Sequence, residues 1–247
     1  MSAHREGLWL RAMPAVFVLI WSTGFVVARL GMPHAPPMGF LAWRYALSIA
    51  AFGVWIGLAR GVSWPRERRQ WTHLAVLGML QHAGYLGGVW AAVKAGMPAG
   101  LAALIVCLQP VLTAAWLSWR SPSHRVSARQ WIGLWLGLGG LTLVLWHRMQ
   151  GGALGTGSLL LAIGALLSIT VGTLYQKRFV KPVDVRSANL VQLAAALLVT
   201  LPLTLLEHEP LHWNAPLWAA LAWSVLALTL GGSSLLYLLI QRGAATE

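Results

Sequence analysis

Eight long apolar stretches, separated by short polar segments, account for most of this 247-residue chain. Each stretch is close to the roughly 20 residues that an α-helix needs to cross the hydrocarbon core of a bilayer. The pattern therefore predicts an all-α polytopic membrane protein with eight transmembrane helices. The predicted spans are residues 13–28, 40–59, 71–93, 98–119, 130–146, 158–175, 188–206 and 216–240.

Lysine and arginine fall almost entirely into every second gap between the apolar stretches and into the two termini. By the positive-inside rule these gaps are cytoplasmic, so both termini are predicted to face the cytoplasm. The opposite gaps contain only two cations, Lys94 and Arg148, whereas Arg29 and Arg44 lie within spans. The 14 cations on the predicted cytoplasmic side are Arg5, Arg11, Arg60, Arg66, Arg68, Arg69, Arg120, Arg125, Arg129, Lys177, Arg178, Lys181, Arg186 and Arg242.

The net charge of +12 would suggest a nucleic-acid-binding surface in a soluble protein. In this chain, however, 57% of the residues are hydrophobic and 10% are charged, which is typical of a membrane protein. The charge is therefore interpreted as flanking charge of membrane spans, with the lipid bilayer as partner and no nucleic-acid partner. The first stretch also resembles a secretory signal, but it is interpreted as an uncleaved helix.

Carboxylates are absent from all eight predicted spans, because the acidic residues lie in loops or tails. Proton relays in membrane carriers usually pass through a buried Asp or Glu, and a cationic solute needs such a group as its counter-ion. The pattern therefore favours zwitterionic or anionic solutes over cationic ones. The acidic residues are Glu6, Glu67, Asp184, Glu207, Glu209 and Glu247.

An internal repeat relates the third span to the eighth. The segment 84–99 resembles the segment 231–246, and the same offset places Trp21 of the first span over Ser168 of the sixth. A unit of five helices, an odd number, inserts its second copy in inverted orientation, and such repeats are a common plan of secondary transporters. The first unit is predicted to have five helices and the second three, so two helices of a ten-helix plan are expected to be lacking. The predicted units are residues 1–150 and residues 151–247.

Five motifs carry a family resemblance: residues 21–25, residues 36–37 with Arg44, residues 82–90, residues 96–105 and residues 109–110. Together they resemble the drug/metabolite transporter (DMT) superfamily, EamA type. The resemblance implies ten helices in two EamA repeats and a location in the bacterial inner membrane. It also implies export of amino acids or related small metabolites by alternating access around a central cavity.

Two features depart from the family pattern. Residues 123–126 read Ser-His-Arg-Val where the family usually has a Gly-Glu-Arg-like turn, and helices nine and ten are expected to be lacking. A cavity open sideways to lipid cannot hold a polar solute, so the chain by itself is expected to insert into the membrane without transporting. The alternative interpretation is therefore a non-transporting membrane fragment or packing partner from a disrupted transporter gene.

Polar and aromatic side chains at membrane depth are the candidate solute-binding residues. Gln109 directly precedes Pro110, which removes a helix donor, so the fourth span is predicted to bend beside a polar side chain. Transporters commonly bind substrate at such broken helices. Arg44, near the outer start of the second span, is a candidate for attracting substrate carboxylates. The complete set is Trp21, Arg44, Gln81, His82, Tyr85, Gln109 and Tyr175.

Each candidate also has a purely structural interpretation, which the sequence leaves open. Gln109 and His82 can satisfy hydrogen bonds between helices. Arg44, like Arg29, can extend its cation to the lipid headgroups. Tryptophan and tyrosine populate membrane interfaces without any further role.

Three Gly-xxx-Gly pairs predict surfaces on which helix backbones approach closely. They are interpreted as packing surfaces inside the protein, since a polytopic chain has many helix pairs to form, and a homodimer stays an alternative. The pairs are Gly53 with Gly57, Gly84 with Gly88, and Gly133 with Gly137.

Residues 208–212 fit the His-Glu-x-x-His metalloprotease pattern, which requires both histidines on one face of a regular helix. Pro210 lies inside the motif and the segment is a short loop, so no metal site is predicted. The lone Cys107 is interpreted as a packing residue. We therefore predict no enzyme activity and no cofactor, and a small molecule as the transported ligand.

Overall fold

The computed structural model describes residues 3–120, 127–150 and 155–241, and within these ranges the chain is helical and contains no strand. Eight helices follow the order of the predicted spans, so the all-α prediction is confirmed. The 123–126 turn and the repeat segment beyond residue 241 lie outside the described residues. The helices are α1 (Ala3–Gly31), α2 (Pro37–Leu58), α3 (Arg68–Gly78, Met79–Leu86 and Gly87–Lys94), α4 (Ala99–Val106 and Gln109–Arg120), α5 (Ala128–Gln150), α6 (Thr156–Phe179), α7 (Val185–Thr204) and α8 (Ala215–Trp223, Ser224–Ser233 and Ser234–Gln241).

Six helices of the described chain are long and apolar enough to cross a membrane, namely α1, α2, α4, α6, α7 and α8. The prediction of a multi-pass membrane protein is therefore confirmed. The other two predicted spans are helical but less apolar. α3 contains the polar residues Gln70, His73, Gln81 and His82, and the apolar part of α5 is Trp131–Val144.

α3 and α8 each contain a π-helical segment, in which backbone hydrogen bonds join residue i to residue i+5. The segments are Met79–Leu86 and Ser224–Ser233. When the repeat offset is applied, the first segment corresponds to residues 226–233, which lie within the second. The irregularity thus recurs at the offset of the sequence repeat.

α4 is interrupted between Val106 and Gln109, directly before Pro110. The amide of Leu108 donates to the Ile105 carbonyl, three residues back, at 3.1 Å, instead of the usual four. Proline has no N–H to donate, so the carbonyl of Val106 loses its helical partner. The structure therefore interrupts the helix at the place where the sequence predicts a bend, beside Gln109.

α3 lies unusually close to α6 and α7, because glycines remove the side chains between the backbones. A Cβ atom at Gly78 would overlap the carbonyl oxygen of Gln192 in α7, and one at Gly84 would overlap the hydroxyl of Ser168 in α6. A Cβ at Gly88 would lie 2.9 Å from a backbone oxygen of α6. The Gly-xxx-Gly prediction is confirmed for the pair in α3.

The same prediction is wrong for the pairs in α2 and α5. A Cβ at Gly53, Gly57, Gly133 or Gly137 would meet no described atom within 4 Å. The spacing of glycines along a helix shows that they share a face, but it does not show whether that face is directed toward another helix.

The apolar core lies where α1, α2 and α3 meet α7 and α8. Phe40 of α2 stacks on Trp90 of α3 with the ring centroids 4.5 Å apart, and both side chains are almost fully buried. Leu193 of α7 and Leu221 of α8 belong to the same cluster. Tight packing of this kind holds helices together in a membrane, where lipid chains are as apolar as the side chains.

One end of the bundle is held by a polar clamp, which we define as two contacts: Glu207 with the start of α2, and Glu209 with Lys94. The two carboxylate oxygens of Glu207 each accept a 2.8 Å hydrogen bond, from the backbone N–H groups of Met38 and Gly39. Glu209 forms an ion pair with Lys94 at the end of α3. The loop between α7 and α8 is therefore bound to the ends of two other helices.

Candidate solute-binding site

Two neighbouring spaces lie between the helices, and both are bordered by Trp21 and Phe25 of α1. The small cavity has a volume of about 30 Å³ and is also bordered by Arg44 of α2 and by Tyr85 and Trp90 of α3. The large cleft has a volume of about 800 Å³ and lies between α1, α4, α6 and α8. Trp21 and Phe25 therefore stand at the border between the two spaces.

The large cleft is mainly apolar, with polar groups contributed by few of its side chains. Gln109 of α4 and Thr173 of α6 both line it, and the Gln109 amide donates to the Thr173 hydroxyl at 3.3 Å. Arg29 also borders it. Gln109 therefore makes the interhelical hydrogen bond of its structural interpretation and, at the same time, faces a space large enough for a small metabolite.

Arg44 is buried inside the bundle, with 3% of its surface exposed. It is the eighth residue of α2, so it lies about 10 Å along the helix from the start. The interpretation that Arg44 extends to the lipid headgroups is therefore wrong. Arg29 and Lys94 do border a common cleft of about 650 Å³, to which Arg44 does not contribute.

Two residues that the sequence analysis missed, Tyr45 and Thr229, take part in hydrogen bonds that hold this part of α2. The Nε–H of Arg44 donates to the hydroxyl of Thr229 in α8 at 3.1 Å, and the hydroxyl of Tyr45 donates to the carbonyl of His82 in α3 at 2.8 Å. Both partners lie in π-helical segments. The repeat offset maps His82 onto Thr229, and this was the signal that could have identified Thr229.

The aromatic candidates Trp21 and Tyr85 are brought together. Their rings are nearly parallel, at 9°, with centroids 6.2 Å apart, and both border the small cavity. His82 is also buried, but its ring packs edge-on against Tyr45 at 6.0 Å and does not line either space. The structure thus groups Trp21, Arg44 and Tyr85 at one point.

Gln81 and Tyr175 lie outside this group. The amide of Gln81 donates to the side-chain oxygen of Gln176 at 3.3 Å, which joins α3 to α6. The hydroxyl of Tyr175 is 2.7 Å from Nδ1 of His73, and its ring lies against Phe179. Neither Gln81 nor Tyr175 borders the small cavity or the large cleft.

Every carboxylate whose side chain the structure describes has a partner other than Arg44. Glu207 and Glu209 form the polar clamp. Lys181 donates a 2.7 Å hydrogen bond to Glu67 and thereby lowers the pKa of that carboxyl. The Arg186 side chain binds Asp184 at 2.6 Å and lowers its pKa below the ordinary value. No described carboxylate is left to neutralise the buried guanidinium.

The His-Glu-x-x-His motif lies in the non-helical loop between α7 and α8. Its central glutamate, Glu209, is the one paired with Lys94. In the described ranges, no three His, Cys, Asp or Glu side chains are grouped closely enough to hold a metal ion. The regular helix that the metalloprotease arrangement needs is thus missing at this motif.

Comparison with protein families gives a match for residues 11–146 with the EamA-like transporter family. The matched range begins in α1 and ends in α5. It includes Trp21, Arg44, Tyr85 and Gln109, and it covers more than half of the chain.

Individual relatives are similar over most of the chain. One is a "Probable amino-acid metabolite efflux pump" of Salmonella typhimurium, 27% identical over 164 residues, which are 66% of this chain and 52% of the relative. The inner membrane transporter YedA of Escherichia coli K12 is 28% identical over 190 residues, 75% of this chain and 59% of the relative. The transporter YvbV of Bacillus subtilis is 26% identical over 220 residues, 88% and 70%. The first two alignments span only about half to three fifths of those relatives.

Proposed function

Because the chain belongs to the EamA-like transporter family, we propose that it carries small carboxylate-bearing metabolites, such as amino acids, across the bacterial inner membrane. The names of the Salmonella and Escherichia relatives support the solute class and the location, respectively. The single observation that carries the choice of a carboxylate is the buried, unneutralised guanidinium of Arg44 beside a cavity.

A buried charge costs several kcal/mol of solvation unless an opposite charge or hydrogen bonds compensate for it. Thr229 is the hydrogen-bond partner that the described structure provides to Arg44, and it engages only Nε. The guanidinium group carries five N–H donors in a planar fork, which matches a carboxylate in a bidentate arrangement. A solute carboxylate in the small cavity would supply the missing negative charge.

The two spaces fit the two parts of such a solute. A volume of about 30 Å³ exceeds the roughly 10–15 Å³ that one water molecule requires, so the small cavity suits a carboxylate group but not a whole metabolite. The large cleft, with its apolar lining, suits the remainder of the solute. Trp21 and Phe25, at the border, would then contact the carbon that joins the two parts.

Alternating access would use residues 1–150 and 151–247 as two inverted units that rock about the site. The matching offset of the π-helical segments in α3 and α8 supports an internal repeat. The hydrogen bond from Arg44 to Thr229 crosses between the two proposed units. In the alternative, a non-transporting fragment or packing partner, the site would bind a solute without moving it or would not bind at all.

The test compares protein amino acids with their amides, because an amide keeps the shape of the acid and removes its negative charge. Binding to the detergent-purified chain is measured by titration calorimetry, and flux is measured in proteoliposomes. The tightest-binding acid and its amide are then used with Arg44→Gln. We expect the acid to bind about 10- to 150-fold more weakly, corresponding to a charged hydrogen bond of about 1.5–3 kcal/mol, and the amide to change little.

Arg68→Gln is the matched control, since Arg68 is an exposed arginine at the start of α3. Arg44→Lys keeps the charge and is expected to retain part of the preference for the acid, which separates charge from folding. Amides that bind wild-type protein as tightly as acids, or equal losses of acid and amide in Arg44→Gln, would contradict the carboxylate assignment. Binding without flux would contradict transport by this chain and would support the alternative, in which the site binds a solute without moving it.

A further inference from the structure

The side-chain hydroxyl of Thr229 donates one hydrogen bond and accepts another. Its hydroxyl donates to the carbonyl of Ser224, five residues earlier, at 2.8 Å. In an α-helix a threonine hydroxyl bonds to the carbonyl three or four residues back, so this longer span belongs to the π-helical segment. With its proton committed to Ser224, the hydroxyl oxygen can only accept, and it accepts from Nε of Arg44 at 3.1 Å.

The contact between Arg44 and Thr229 is buried. Thr229 has 1% and Ser224 has 0% of its surface exposed, and Arg44 has 3%. Bulk solvent therefore has little access to Nε, and the hydrogen bond holds one edge of the planar guanidinium in a fixed orientation. The two terminal nitrogens have no hydrogen-bond partner among the described residues, and Arg44 borders the small cavity.

From this geometry we infer that Thr229 is a positioning residue, which orients the guanidinium of Arg44 so that its terminal N–H groups face the solute carboxylate. The inference rests on the proposed function, since it takes Arg44 as the carboxylate-binding group. It adds a specific role for α8 and for its π-helical segment. The segment aligns the acceptor in one proposed unit with the cation in the other.

The binding test uses Thr229→Val, which keeps the branched shape but removes the hydroxyl, and Thr229→Ser, which keeps the hydroxyl. For the acid and amide chosen with wild-type protein, Thr229→Val is expected to weaken acid binding about 10-fold and to leave amide binding within about 2-fold. Thr229→Ser is expected to restore acid binding to within about 3-fold of wild type. In an Arg44→Gln background, Thr229→Val is expected to add no further loss, because the two residues act as one unit.

Ser233→Ala is the matched control in the same π-helical segment. The hydroxyl of Ser233 is also buried and also bonds five residues back, to Leu228, at 3.4 Å, but it does not contact Arg44. If loss of any buried hydroxyl from this segment weakened acid binding, Ser233→Ala would do so as well. Equal losses for Ser233→Ala and Thr229→Val would overturn the inference.

A second measurement tests the positioning without any solute. In protein labelled with ¹⁵N-arginine, the Nε–H signal of Arg44, assigned through Arg44→Lys, should exchange slowly with solvent in wild type and Thr229→Ser. It should exchange at least about 10-fold faster in Thr229→Val, because a buried hydrogen bond has been removed. An unchanged exchange rate would refute the role of Thr229.

The two measurements separate the inference from the proposed function. Slow Nε–H exchange that depends on the hydroxyl, together with no preference for acids over amides, supports the positioning contact and contradicts the carboxylate assignment. A preference for acids that Arg44→Gln removes and Thr229→Val leaves intact supports the proposed function and overturns the inference. Parallel losses of acid and amide binding in Thr229→Val would show a general packing role.

Discussion

The close approach of α3 to α7 leads to a prediction about three glycine-to-alanine substitutions that are chemically identical. At Gly53 in α2, the added methyl group would meet open space. At Gly84, it would meet the side chain of Ser168, and at Gly78 it would meet the backbone of Gln192. A side chain can rotate away from a new methyl group, whereas a backbone can only yield if the whole helix moves.

The magnitudes follow from two opposing effects. Alanine in place of glycine stabilises a helix interior by roughly 0.5–1 kcal/mol, and overpacking a tight contact costs about 1–3 kcal/mol. Gly53→Ala should therefore raise the free energy of unfolding by roughly 0.5–1 kcal/mol, because only the first effect operates there. At Gly78 the overpacking cost exceeds the helix gain, so Gly78→Ala should lower the free energy of unfolding by roughly 1–2 kcal/mol. Gly84→Ala should fall between the two.

Thermal unfolding of the purified variants in one detergent would measure this order. For a chain of this size, 1 kcal/mol corresponds to about 2–4 °C in Tm. We expect Tm to rise slightly for Gly53→Ala and to fall by roughly 2–8 °C for Gly78→Ala. If Gly78→Ala were as well tolerated as Gly53→Ala, α3 and α7 would not be in the close contact described above, and the reasoning would fail.

Two further predictions concern the ends of the bundle. Glu207→Ala should cost roughly 1–2 kcal/mol of stability, because two N–H groups at the start of α2 lose their acceptor. Glu209→Ala, which breaks an exposed ion pair, should cost less than about 1 kcal/mol. Thermal unfolding of both variants measures this order of stability, and the reverse order would contradict the prediction. A reporter enzyme that is active only in the periplasm should be silent when fused after Glu247, since the positive-inside rule places both termini in the cytoplasm, and strong activity would reverse the predicted topology.

Features that depend only on the order of residues along the chain could be predicted from the sequence. The apolar stretches of the sequence predicted the order of the helices. The family resemblance is confirmed by the match over residues 11–146. The break before Pro110 could also be predicted, because it follows from a missing N–H group. These properties do not depend on which side of a helix faces the bundle.

Properties that depend on helix rotation and depth could not be predicted in this way. Gly53 and Gly84 are each the first residue of a Gly-xxx-Gly pair, yet of these two only Gly84 faces a neighbouring helix. The sequence left open that Arg44 extends its cation to the lipid headgroups, but Arg44 is buried and donates to Thr229 of α8. The periodicity of the sequence did not predict the π-helical segments, because it does not distinguish hydrogen bonds to residue i+4 from those to residue i+5.

The two neighbouring contacts of α2 differ in what they require of the sequence. Tyr45 donates to a backbone carbonyl at His82, which any residue at that position would provide. Arg44 donates to a side-chain hydroxyl at Thr229, which only serine or threonine would provide in the same place. His82 and Thr229 are related by the repeat offset, so equivalent positions of the two proposed units contact adjacent residues of α2. For these contacts the identity of the side chain therefore matters at Thr229 and not at His82, and the polar chemistry of the site depends on α8 as much as on the α3 residues that the sequence motif suggested.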